Sequence, residues 1–452
     1  MDMRVTKNLR IHSFPWGRRT LHYSPVVNAL EVEDPDTPLD AAALAKRFGE
    51  AQGDALLGIE GGGATTEPAD AETPAQQPLR FVDLVLTHGC SLDCGYCSLY
   101  RGRSIAPVGT NRMTWKIAHR AVELLRPSLE AGGNCRIRFT GGEPLLHLSF
   151  MYQVMDDALP SYSRGGGRHR LFSLVTNGLA LDERVIERLR SYPISIQLSL
   201  DGPAEAHDAH RRLRGSRAAS HARVQRAAIL LKRLTGELNV AAVWTPGGPS
   251  VVERVRYFES IGATRLRLTH ANLQLTGGPH TDDGTAVFDE LTRQYQEYEQ
   301  HYREQWRRGR IPLYDPYSLP IQRLRGDSRR ARSCDPLGTG NRIIDVDGSI
   351  YPCYAFVGLR EHCLGTVFDG EDPEVLTRWA AKREATQRQC DPCWAWPLCR
   401  GADLCDHFPF DSDRADTRAL CNYLRTRIET ALGLHVDFCE AMEAYAPTAG
   451  ES

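Results

Sequence analysis

The sequence lacks the marks of a membrane or secreted protein. None of its apolar runs approaches the ~20 residues that a membrane-spanning helix needs, and residues 1–10 are polar, without the apolar core of a signal peptide. An excess of one charge is also missing, because the formal net charge is −2. No overall field therefore favours nucleic acid or a lipid surface as a partner. We expect a cytoplasmic protein that binds neither.

Cysteine, in contrast, is abundant. The chain has 13 cysteines, three of them at residues 90–97 and eight between residues 334 and 421. In a reducing compartment such groups indicate metal or redox chemistry rather than disulfides. Cys135 and Cys439 lie outside both groups, and we expect them to be small buried hydrophobes.

The first group follows an apolar run at 81–86 and places Cys90, Cys94 and Cys97 at C-x3-C-x2-C spacing, with Tyr96 before the third cysteine. Closely spaced cysteines on one loop can supply the thiolates of an iron–sulfur cluster. Three ligands for a four-iron cluster leave one iron free to bind another molecule. Zinc is the alternative, but zinc sites favour paired C-x2-C units and four ligands.

From residue 80 onward, short apolar runs alternate with stretches of helical periodicity. The predicted strands are 81–86, 135–140, 171–176, 194–200, 238–244 and 264–270. The predicted helices are 114–130, 148–158, 181–191, 219–234 and 250–261. Repeated strand–helix units favour a parallel α/β sheet.

Polar motifs follow several of these strands. Paired glycines at Gly141 and Gly142 allow close approach of a ligand, and Glu143 can accept a hydrogen bond from an ammonium group. The other motif residues are Thr176, Asn177, Ser199, Asp201, Arg211 and Arg212. Taken singly, Gly-Gly-Glu-Pro and Asn-Gly are ordinary turn sequences, and the two arginines could belong to a solvated basic turn. Their recurrence at strand ends favours a shared site.

The second group of cysteines begins at Cys334. Residues 342–351 predict a β-hairpin with an Asp-Gly turn, and Cys353 follows the hairpin. Four more cysteines include a C-x2-C pair and a C-x5-C step: Cys390, Cys393, Cys399 and Cys421. A zinc ribbon remains open for this region, because zinc also accepts C-x2-C pairs.

The cysteine loop and the Gly-Gly-Glu-Pro segment resemble the signatures of the radical S-adenosylmethionine (radical SAM) enzymes. The C-terminal cysteines resemble the SPASM domain, found in members that modify peptides and proteins. The resemblance covers residues 80 to about 430 and implies a partial (β/α)6 TIM-like barrel with a C-terminal SPASM domain. In this family a four-iron cluster chelates SAM, and reductive cleavage yields a 5′-deoxyadenosyl radical that abstracts hydrogen from substrate. The cofactors carry the chemistry, and the protein positions them.

The resemblance also implies roles for the motif residues. Cys90, Cys94 and Cys97 hold the cluster that binds SAM. The SAM-binding set is Gly141, Gly142, Glu143, Thr176, Asn177, Ser199, Asp201, Arg211 and Arg212. Within this set, Glu143 meets the amino group of SAM. Ser199 and Asp201 meet the ribose, and either Arg211 or Arg212 pairs with the carboxylate.

The SPASM resemblance implies two auxiliary clusters, and so three [4Fe–4S] clusters in all. The second auxiliary cluster is held by Cys390, Cys393, Cys399 and Cys421. Cys334 and Cys353 hold the first, whose open iron could bind a substrate thiolate or water, with Cys363 as a reserve ligand. The family pattern requires a cysteine where this sequence has Asp403. We expect Cys405 to replace it, because a thiolate suits iron better than a carboxylate.

The segments around Cys353 and Cys393 look most like maturases of ribosomally made peptides. The lead hypothesis is an enzyme that closes a C–C, C–O or thioether cross-link in a precursor peptide. Its partners are that peptide, with its leader, and an electron donor such as flavodoxin or ferredoxin. The alternative is a protein-modifying oxidase or peptide epimerase, such as a sulfatase-maturase-like enzyme. A non-catalytic iron–sulfur scaffold is the alternative of another class.

One residue bears on the choice between these enzymes. Sulfatase-maturing relatives place an aspartate base directly after the cysteine matched by Cys353, and this sequence has Tyr354 there. The difference weakens the sulfatase interpretation. It makes Tyr354 a candidate proton or hydrogen relay.

The other segments complete the expected domain organisation. Residues 1–58 form a small α+β piece with a helix at 38–49, either a leader-peptide-binding module or an extension packed on the barrel. Residues 59–79 have linker composition. The expected units that follow are the barrel at 80–283, a helical, arginine-rich bridge at 284–333, the SPASM domain at 334–430 and a tail at 431–452.

Overall fold

The computed structural model describes residues 11–25, 28–40, 43–44, 46–48, 79–99, 111–271, 284–326, 341–399 and 415–445. Some predictions fall outside these residues. They are the linker at 59–78, the cluster ligand Cys334, and the choice between Asp403 and Cys405.

Strands and helices alternate along most of the described chain. The strands are β1 (His12–Trp16), β2 (Arg19–Ser24), β3 (Ala29–Glu33), β4 (Phe81–Val85), β5 (Leu92–Cys94), β6 (Arg136–Thr140), β7 (Phe172–Thr176), β8 (Ile194–Ser199), β9 (Arg211–Leu213), β10 (Asn239–Trp244), β11 (Arg265–His270), β12 (Asn341–Ile344), β13 (Ser349–Tyr351), β14 (Gly365–Thr366) and β15 (Gly370–Glu371). The helices are α1 (Trp115–Glu130), α2 (Leu148–Arg164), α3 (Glu183–Arg190), α4 (Ala204–His210), α5 (His221–Thr235), α6 (Val251–Ser260), α7 (Gly284–Arg307), α8 (Ser318–Leu324), α9 (Pro373–Cys390), α10 (Trp396–Cys399) and α11 (Ala415–Tyr445). Within the described chain, no helix combines the length and apolar character that crossing a bilayer requires.

Local sequence signals explain where these elements begin and which side they bury. In β6, Ile137 and Phe139 are buried at 1% and 0% exposure, and their neighbours in the strand are half-buried. This alternation is that of a strand with one face covered by helices. Asp182 caps α3 by accepting from the Val185 backbone N–H, and a capping box built on Ser250 begins α6.

The barrel strands form a parallel sheet in the order β11–β10–β8–β7–β6–β4. The prediction of a mixed α/β fold with a central parallel sheet is therefore confirmed. On the far side of β4, β12 joins the same sheet in parallel, with Asn341 opposite Phe81. The predicted hairpin follows, because β12 and β13 are antiparallel partners. The cysteine-rich region thus begins as an extension of the barrel sheet.

The C-terminal helix continues past the expected domain boundary. α11 runs without a break from Ala415 to Tyr445, so it crosses the boundary expected at residue 430. Leu432 and Val436, four residues apart, are buried at 0% and 8% exposure. This i, i+4 spacing continues the apolar face of the helix beyond residue 430.

The N-terminal strands β1, β2 and β3 form an antiparallel sheet that packs on α11 and on the C-terminal cysteine region. His12 stacks on Trp394 with 3.7 Å between ring centroids, and its Nε2 lies 2.8 Å from Glu429 Oε1. Trp16 donates from Nε1 to Asp437 at 3.1 Å. These contacts place the N-terminal sheet against the C-terminal region, and its role as a leader-binding module or an extension stays a prediction.

Candidate active site

The predicted motifs meet at one edge of the parallel sheet. The cysteine loop follows β4, Gly141 follows β6, Thr176 ends β7 and Ser199 ends β8. Parallel strands present their carboxyl ends at the same edge, so motifs that are far apart in the chain become one site. The Leu86 N–H donates to Thr140 O at 3.0 Å, which joins the first two motifs directly.

The paired glycines hold the cysteine loop through the backbone. The Gly142 N–H donates to Thr87 O, and the Glu143 N–H donates to Gly89 O, both at 2.8 Å. Gly141 has a φ of +130°, and a Cβ there would lie 2.5 Å from Thr87 O. Only glycine fits this close approach. The partner that approaches Gly141 in this structure is the loop itself, and binding of the SAM amino group remains a prediction.

The three thiols of the loop are close enough to influence one another. Burial raises the pKa of Cys90 to about 12, and the charges of Glu143 and Cys97 add to the rise. Burial also raises the pKa of Cys94, with further contributions from Cys97 and Cys90. A metal that binds these groups must displace their protons. Their convergence fits the three-thiolate side of a four-iron cluster.

Glu143 is buried at 1% exposure and is hydrogen-bonded to the end of β7. Its carboxylate accepts from Thr176 Oγ1 at 2.7 Å and from the Asn177 N–H at 2.7 Å. Burial nevertheless raises the pKa of Glu143 to about 7. Asn177 Nδ2 also lies 3.8 Å from Cys90 Sγ. The structure therefore brings three predicted SAM-binding residues together against the cysteine loop.

Asp201 accepts four hydrogen bonds from the protein. Its Oδ2 accepts from Arg211 Nε at 2.8 Å and from the Tyr96 hydroxyl. Its Oδ1 accepts from Arg211 Nη2 at 3.1 Å and from the Val243 N–H at 2.9 Å. Burial works to raise the pKa of Asp201, but the Arg211 guanidinium holds it below its ordinary value. A carboxylate has about four acceptor positions, and the protein already occupies four on Asp201. The predicted contact of Ser199 and Asp201 with the ribose stays a prediction.

The two predicted arginines occupy different positions. β5 and β9 are antiparallel partners, with Cys94 opposite Arg211 and Asp93 opposite Arg212. Arg211 is buried at 8% exposure and is committed to Asp201. Arg212 is half-buried and remains the candidate for a substrate or cofactor carboxylate. The Asp201–Arg211 pair connects the cysteine loop to the end of β8.

Sequence reasoning missed the residues that support this pair. His207 Nδ1 accepts from the Asp201 N–H at 3.3 Å, and its Nε2 lies 2.9 Å from Ser220 Oγ. Burial lowers the pKa of His207 to about 4, and the charge of Arg211 adds to the effect, so the ring is neutral. Arg254, at 0% exposure, donates to the Asp201 carbonyl. The available sequence signal was the pair His207-Asp208 shortly after Asp201-Gly-Pro. The pair alone does not show what His207 contacts.

A comparison with known families decides what this arrangement is. Residues 84–247 match the model of the radical SAM superfamily. These residues are a radical SAM domain. The matched range contains the cysteine loop, the Gly-Gly-Glu-Pro motif and Asp201, and the predicted family, enzyme class and fold are confirmed. Enzymes of this superfamily use SAM and a [4Fe–4S] cluster.

The similarity extends beyond the radical SAM domain. The chain is 27% identical over 343 residues to the cysteine-type anaerobic sulfatase-maturating enzyme of Clostridium perfringens, covering 72% of this chain and 88% of that relative. It is 25% identical over 357 residues to the PqqA peptide cyclase of Granulibacter bethesdensis, covering 74% of this chain and 85% of the cyclase. The solved structure of native anSMEcpe with bound AdoMet and Cp18Cys peptide has a TM-score of 0.65 at 22% identity. It covers 81% of this chain and 100% of that one, which shows a shared fold.

The C-terminal region of this radical SAM enzyme contains a second thiol-lined site. Four cysteines line one cavity of about 100 Å³: Cys390, Cys393, Cys399 and Cys421. α9 and α10 end at two of them, and α11 carries a third. Arg323 is buried at 5% exposure and donates to the Cys399 carbonyl at 2.6 Å. Arg323, which lies in the predicted arginine-rich bridge, is therefore buried against the cavity region and is not a surface residue.

The spacing of these thiols bears on the zinc alternative. Among the described residues, no three His, Cys, Asp or Glu side chains meet closely enough to share one metal ion. A zinc ion needs its ligands on a single centre, whereas a cubane cluster spreads them over several irons. The cluster at the four-cysteine cavity stays a prediction, with zinc as its alternative.

Tyr354, the residue after Cys353, joins the cysteine-rich region to the SAM motifs. The Tyr354 hydroxyl donates to the Gly141 carbonyl. Nearby, His88 Nε2 lies 2.6 Å from Asp345 Oδ1, which connects the cysteine loop to the β12–β13 turn. Cys363, the reserve ligand, lies with its Sγ 3.2 Å from Gly365 O. The structure thus places Tyr354 beside the SAM motif, and its role as a relay remains a prediction.

Proposed function

We propose that this radical SAM enzyme is a peptide maturase. It abstracts hydrogen from a residue of a ribosomally made precursor peptide and closes an intramolecular C–C, C–O or thioether cross-link. The observation that carries the proposal is the length of the similarity. Matches of 343 and 357 residues to a sulfatase-maturating enzyme and a peptide cyclase extend well beyond residues 84–247. Both relatives are named for acting on a protein or a peptide.

The residues at the sheet edge fit SAM and its cluster. Cys90, Cys94 and Cys97 would hold the cluster, and the Gly141–Glu143 segment, Ser199 and Arg212 would hold SAM. When bound, this pair supplies a 5′-deoxyadenosyl radical that takes a hydrogen atom from the substrate. The protein's own contribution is to fix the loop, through the Gly142 and Glu143 N–H groups and the Asp201–Arg211 pair.

Closing a cross-link requires an acceptor for one further electron. Forming the new bond removes a second hydrogen from the peptide as a proton and an electron. The cavity lined by Cys390, Cys393, Cys399 and Cys421 is the candidate acceptor site, as the second auxiliary cluster. The first auxiliary cluster is proposed on Cys353, with Cys334 and Cys405. Tyr354, beside Gly141, is the candidate proton or hydrogen relay.

The proposed partners follow from this chemistry. The substrate is a precursor peptide, and its leader could pair with an edge of the N-terminal sheet, because β1 and β3 are the outer strands of that sheet. Adding an extended peptide to a sheet edge is a common mode of recognition. An electron donor such as flavodoxin or ferredoxin would reduce the SAM-binding cluster at Cys90, Cys94 and Cys97.

The test is a reaction with a synthetic precursor peptide encoded beside the gene. We expect 5′-deoxyadenosine to form from SAM with a strong reductant, and the peptide to lose the mass of two hydrogens. A variant with Cys90, Cys94 and Cys97 changed to alanine should form neither product and keep its auxiliary clusters. No deoxyadenosine from the reconstituted wild type would favour an iron–sulfur scaffold.

A second candidate is supported by the Clostridium relative. A sulfatase-maturase-like oxidase would also remove two hydrogens from a cysteine. The resulting thioaldehyde would react with water to give an aldehyde and hydrogen sulfide, and no cross-link would form. An aldehyde-reactive hydrazide and a sulfatase-derived cysteine peptide distinguish the two. Hydrazone formation would favour the oxidase, and an unchanged mass with a D-residue on hydrolysis would favour an epimerase. Tyr354, where an aspartate base is expected, supports the cross-linking maturase.

A further inference from the structure

One face of α11 lines the four-cysteine cavity. Thr417, Cys421 and Arg425 follow one another at four-residue intervals on this helix, and all three line the cavity. Residues spaced by four lie on the same side of an α-helix. The ligand Cys421 therefore has a hydroxyl one turn before it and a guanidinium one turn after it.

The hydroxyl of Thr417 is a buried donor without a protein partner. The residue is 1% exposed, and its Oγ1 makes no hydrogen bond within the described structure. Buried hydroxyls are almost always hydrogen-bonded, because leaving one unpaired is costly. An unpaired hydroxyl in the wall of a thiol-lined cavity indicates that its partner is the group that fills the cavity.

Arg425 gives the same indication on the other side of Cys421. Its Nη2 lies 3.5 Å from Cys393 Sγ, and its Nη1 donates to Asn422 Oδ1 at 3.3 Å. Its Nε is buried and unpaired within the described structure. Burial lowers the pKa of Arg425, but the hydrogen bond and charge of Cys393 raise it overall. The guanidinium is therefore a permanent positive charge against the cysteine sulfurs.

Donors to the sulfurs of an iron–sulfur cluster stabilise its reduced form, because reduction adds negative charge to those sulfurs. Hydrogen bonds to sulfur and local net charge are main determinants of cluster potential, and such groups around a metal site tune it without binding the metal. We propose that Thr417 and Arg425 donate to the cluster held by Cys390, Cys393, Cys399 and Cys421 and raise its reduction potential. Both are positioning residues that suit this cluster to accept an electron. The inference rests on the proposed function, in which that site is an auxiliary cluster.

The experiment is an anaerobic redox titration of the reconstituted full-length enzyme, followed by electron paramagnetic resonance. A Cys421→Ala variant identifies the signal of this cluster. We expect Thr417→Val and Arg425→Gln each to lower the midpoint potential of that signal and of no other. A tenfold change in the ratio of oxidised to reduced cluster corresponds to about 59 mV for one electron, and we expect a shift of that order for Arg425→Gln.

Matched variants separate the proposed role from general damage. Thr417→Ser keeps the hydroxyl and should keep the potential. Arg378→Gln removes the same charge from an exposed position on α9, more than three turns before Cys390, and should change nothing. If Arg425→Gln loses iron, Arg425→Lys, which keeps the charge, and Thr417→Val carry the test.

Two results would overturn the inference, and they differ in meaning. Unchanged potentials in Thr417→Val and Arg425→Gln, with full iron content, would make both residues structural and leave the maturase proposal intact. If Cys421→Ala removes zinc and no iron, the cavity holds no cluster. That outcome would remove the auxiliary-cluster part of the proposed function together with this inference.

Discussion

Asp201 and Arg211 are a buried ion pair beside the cysteine loop, at 1% and 8% exposure. A buried pair adds little net stability, but the loss of one partner leaves the other charge uncompensated. Gly141 is equally constrained, since its φ of +130° and the nearby Thr87 carbonyl exclude other residues. Asp201, Arg211 and Gly141 therefore act by holding the cysteine loop in place.

Asp201→Asn should destabilise the enzyme by about 3–5 kcal/mol, because Arg211 loses its countercharge. The cysteine loop should become more mobile. The iron content at Cys90, Cys94 and Cys97 should therefore decrease, while the iron of the auxiliary clusters is retained. Thermal unfolding and iron per chain measure both effects. Asp93→Asn is the control, since Asp93 lies in the same loop in an exposed pair with Arg217 at 3.6 Å. A wild-type iron content in Asp201→Asn would contradict the prediction.

Gly141→Ala should displace the cysteine loop, because the new Cβ would lie 2.5 Å from the Thr87 carbonyl. We expect loss of the cluster at Cys90, Cys94 and Cys97, measured by absorbance, and loss of SAM binding, measured by equilibrium dialysis. Gly215→Ala is the matched control. Gly215 has a φ of +82° but nothing within 4 Å of the new Cβ, so it tests the backbone strain without the collision. Equal effects of the two substitutions would point to strain alone.

His207 predicts a pH dependence of stability. Its pKa is about 4 in the folded protein, against about 6.5 for an exposed histidine. The stability from the neutral ring is fully present above pH 6.5. It is lost as the pH falls toward 4, by at most about 3 kcal/mol, because the unfolded chain takes up the proton first.

His207→Gln keeps a neutral hydrogen-bonding side chain and should flatten this dependence. Asp201, Arg211, Asp208 and His221 face the ring and are the same in both proteins, so the difference between the two proteins isolates His207. Urea unfolding at pH 7.5 and pH 5 measures it. The stability advantage of the wild type should shrink at pH 5, and an unchanged advantage would show that His207 does not titrate in this range.

At the scale of elements, α11 links three parts of the molecule. It carries Cys421 into the thiol-lined cavity, packs along α7, and receives the N-terminal sheet through Trp16 and His12. Its second half, beyond residue 430, buries Leu432 at 0% exposure. The helix thus connects the packing of the N-terminal sheet to the geometry of the cavity.

Leu432→Ala should cost about 2–5 kcal/mol, as buried leucine truncations do, and should reduce iron retention at the cavity. Chemical denaturation and iron analysis after gel filtration are the measurements. Ile229→Ala on α5 is the control, because Ile229 is 62% exposed. Full iron retention in a destabilised Leu432→Ala variant would separate the packing of α11 from the integrity of the cavity.

For the molecule as a whole, the barrel and the cysteine-rich region form one sheet and share a contact at the site. β12 extends the barrel sheet beyond β4, and the Tyr354 hydroxyl reaches the Gly141 carbonyl. The edge of the barrel sheet is therefore close to residues of both regions. This proximity is what the proposed transfer of an electron and a proton away from the substrate requires.

Tyr354→Phe tests whether the contact is structural or part of the chemistry. Loss of one hydrogen bond should cost about 0.5–1.5 kcal/mol, with SAM binding and cluster content retained. As a relay, Tyr354 should support product formation, so the variant should cleave SAM to deoxyadenosine yet form at least tenfold less cross-linked peptide. An unchanged ratio of peptide product to deoxyadenosine would leave Tyr354 as a structural tether.

Much of this organisation could be predicted from local patterns. The six barrel strands and five helices were visible as alternating apolar and helical stretches, and the cysteine loop and Gly-Gly-Glu-Pro were visible as motifs. The C-terminal helix was not predicted, because the domain boundary was taken from the cysteine pattern and not from the apolar spacing at Leu432 and Val436. The pairing of β12 with β4 was missed because nothing local specifies which strand a distant edge will accept.

The sequence by itself determined the chemistry available, since cysteine spacing and paired glycines set which groups can bind iron and where backbone can approach closely. It also determined the parallel sheet, because strand and helix periodicities are local. Only the tertiary structure decided the roles of identical residue types. Asp201 accepts hydrogen bonds from Arg211 and Tyr96, and Arg212 lies half-buried beside them. Thr417 and Arg425 line the cysteine cavity, because hydrogen-bond partners and burial depend on how separate segments of the chain pack together.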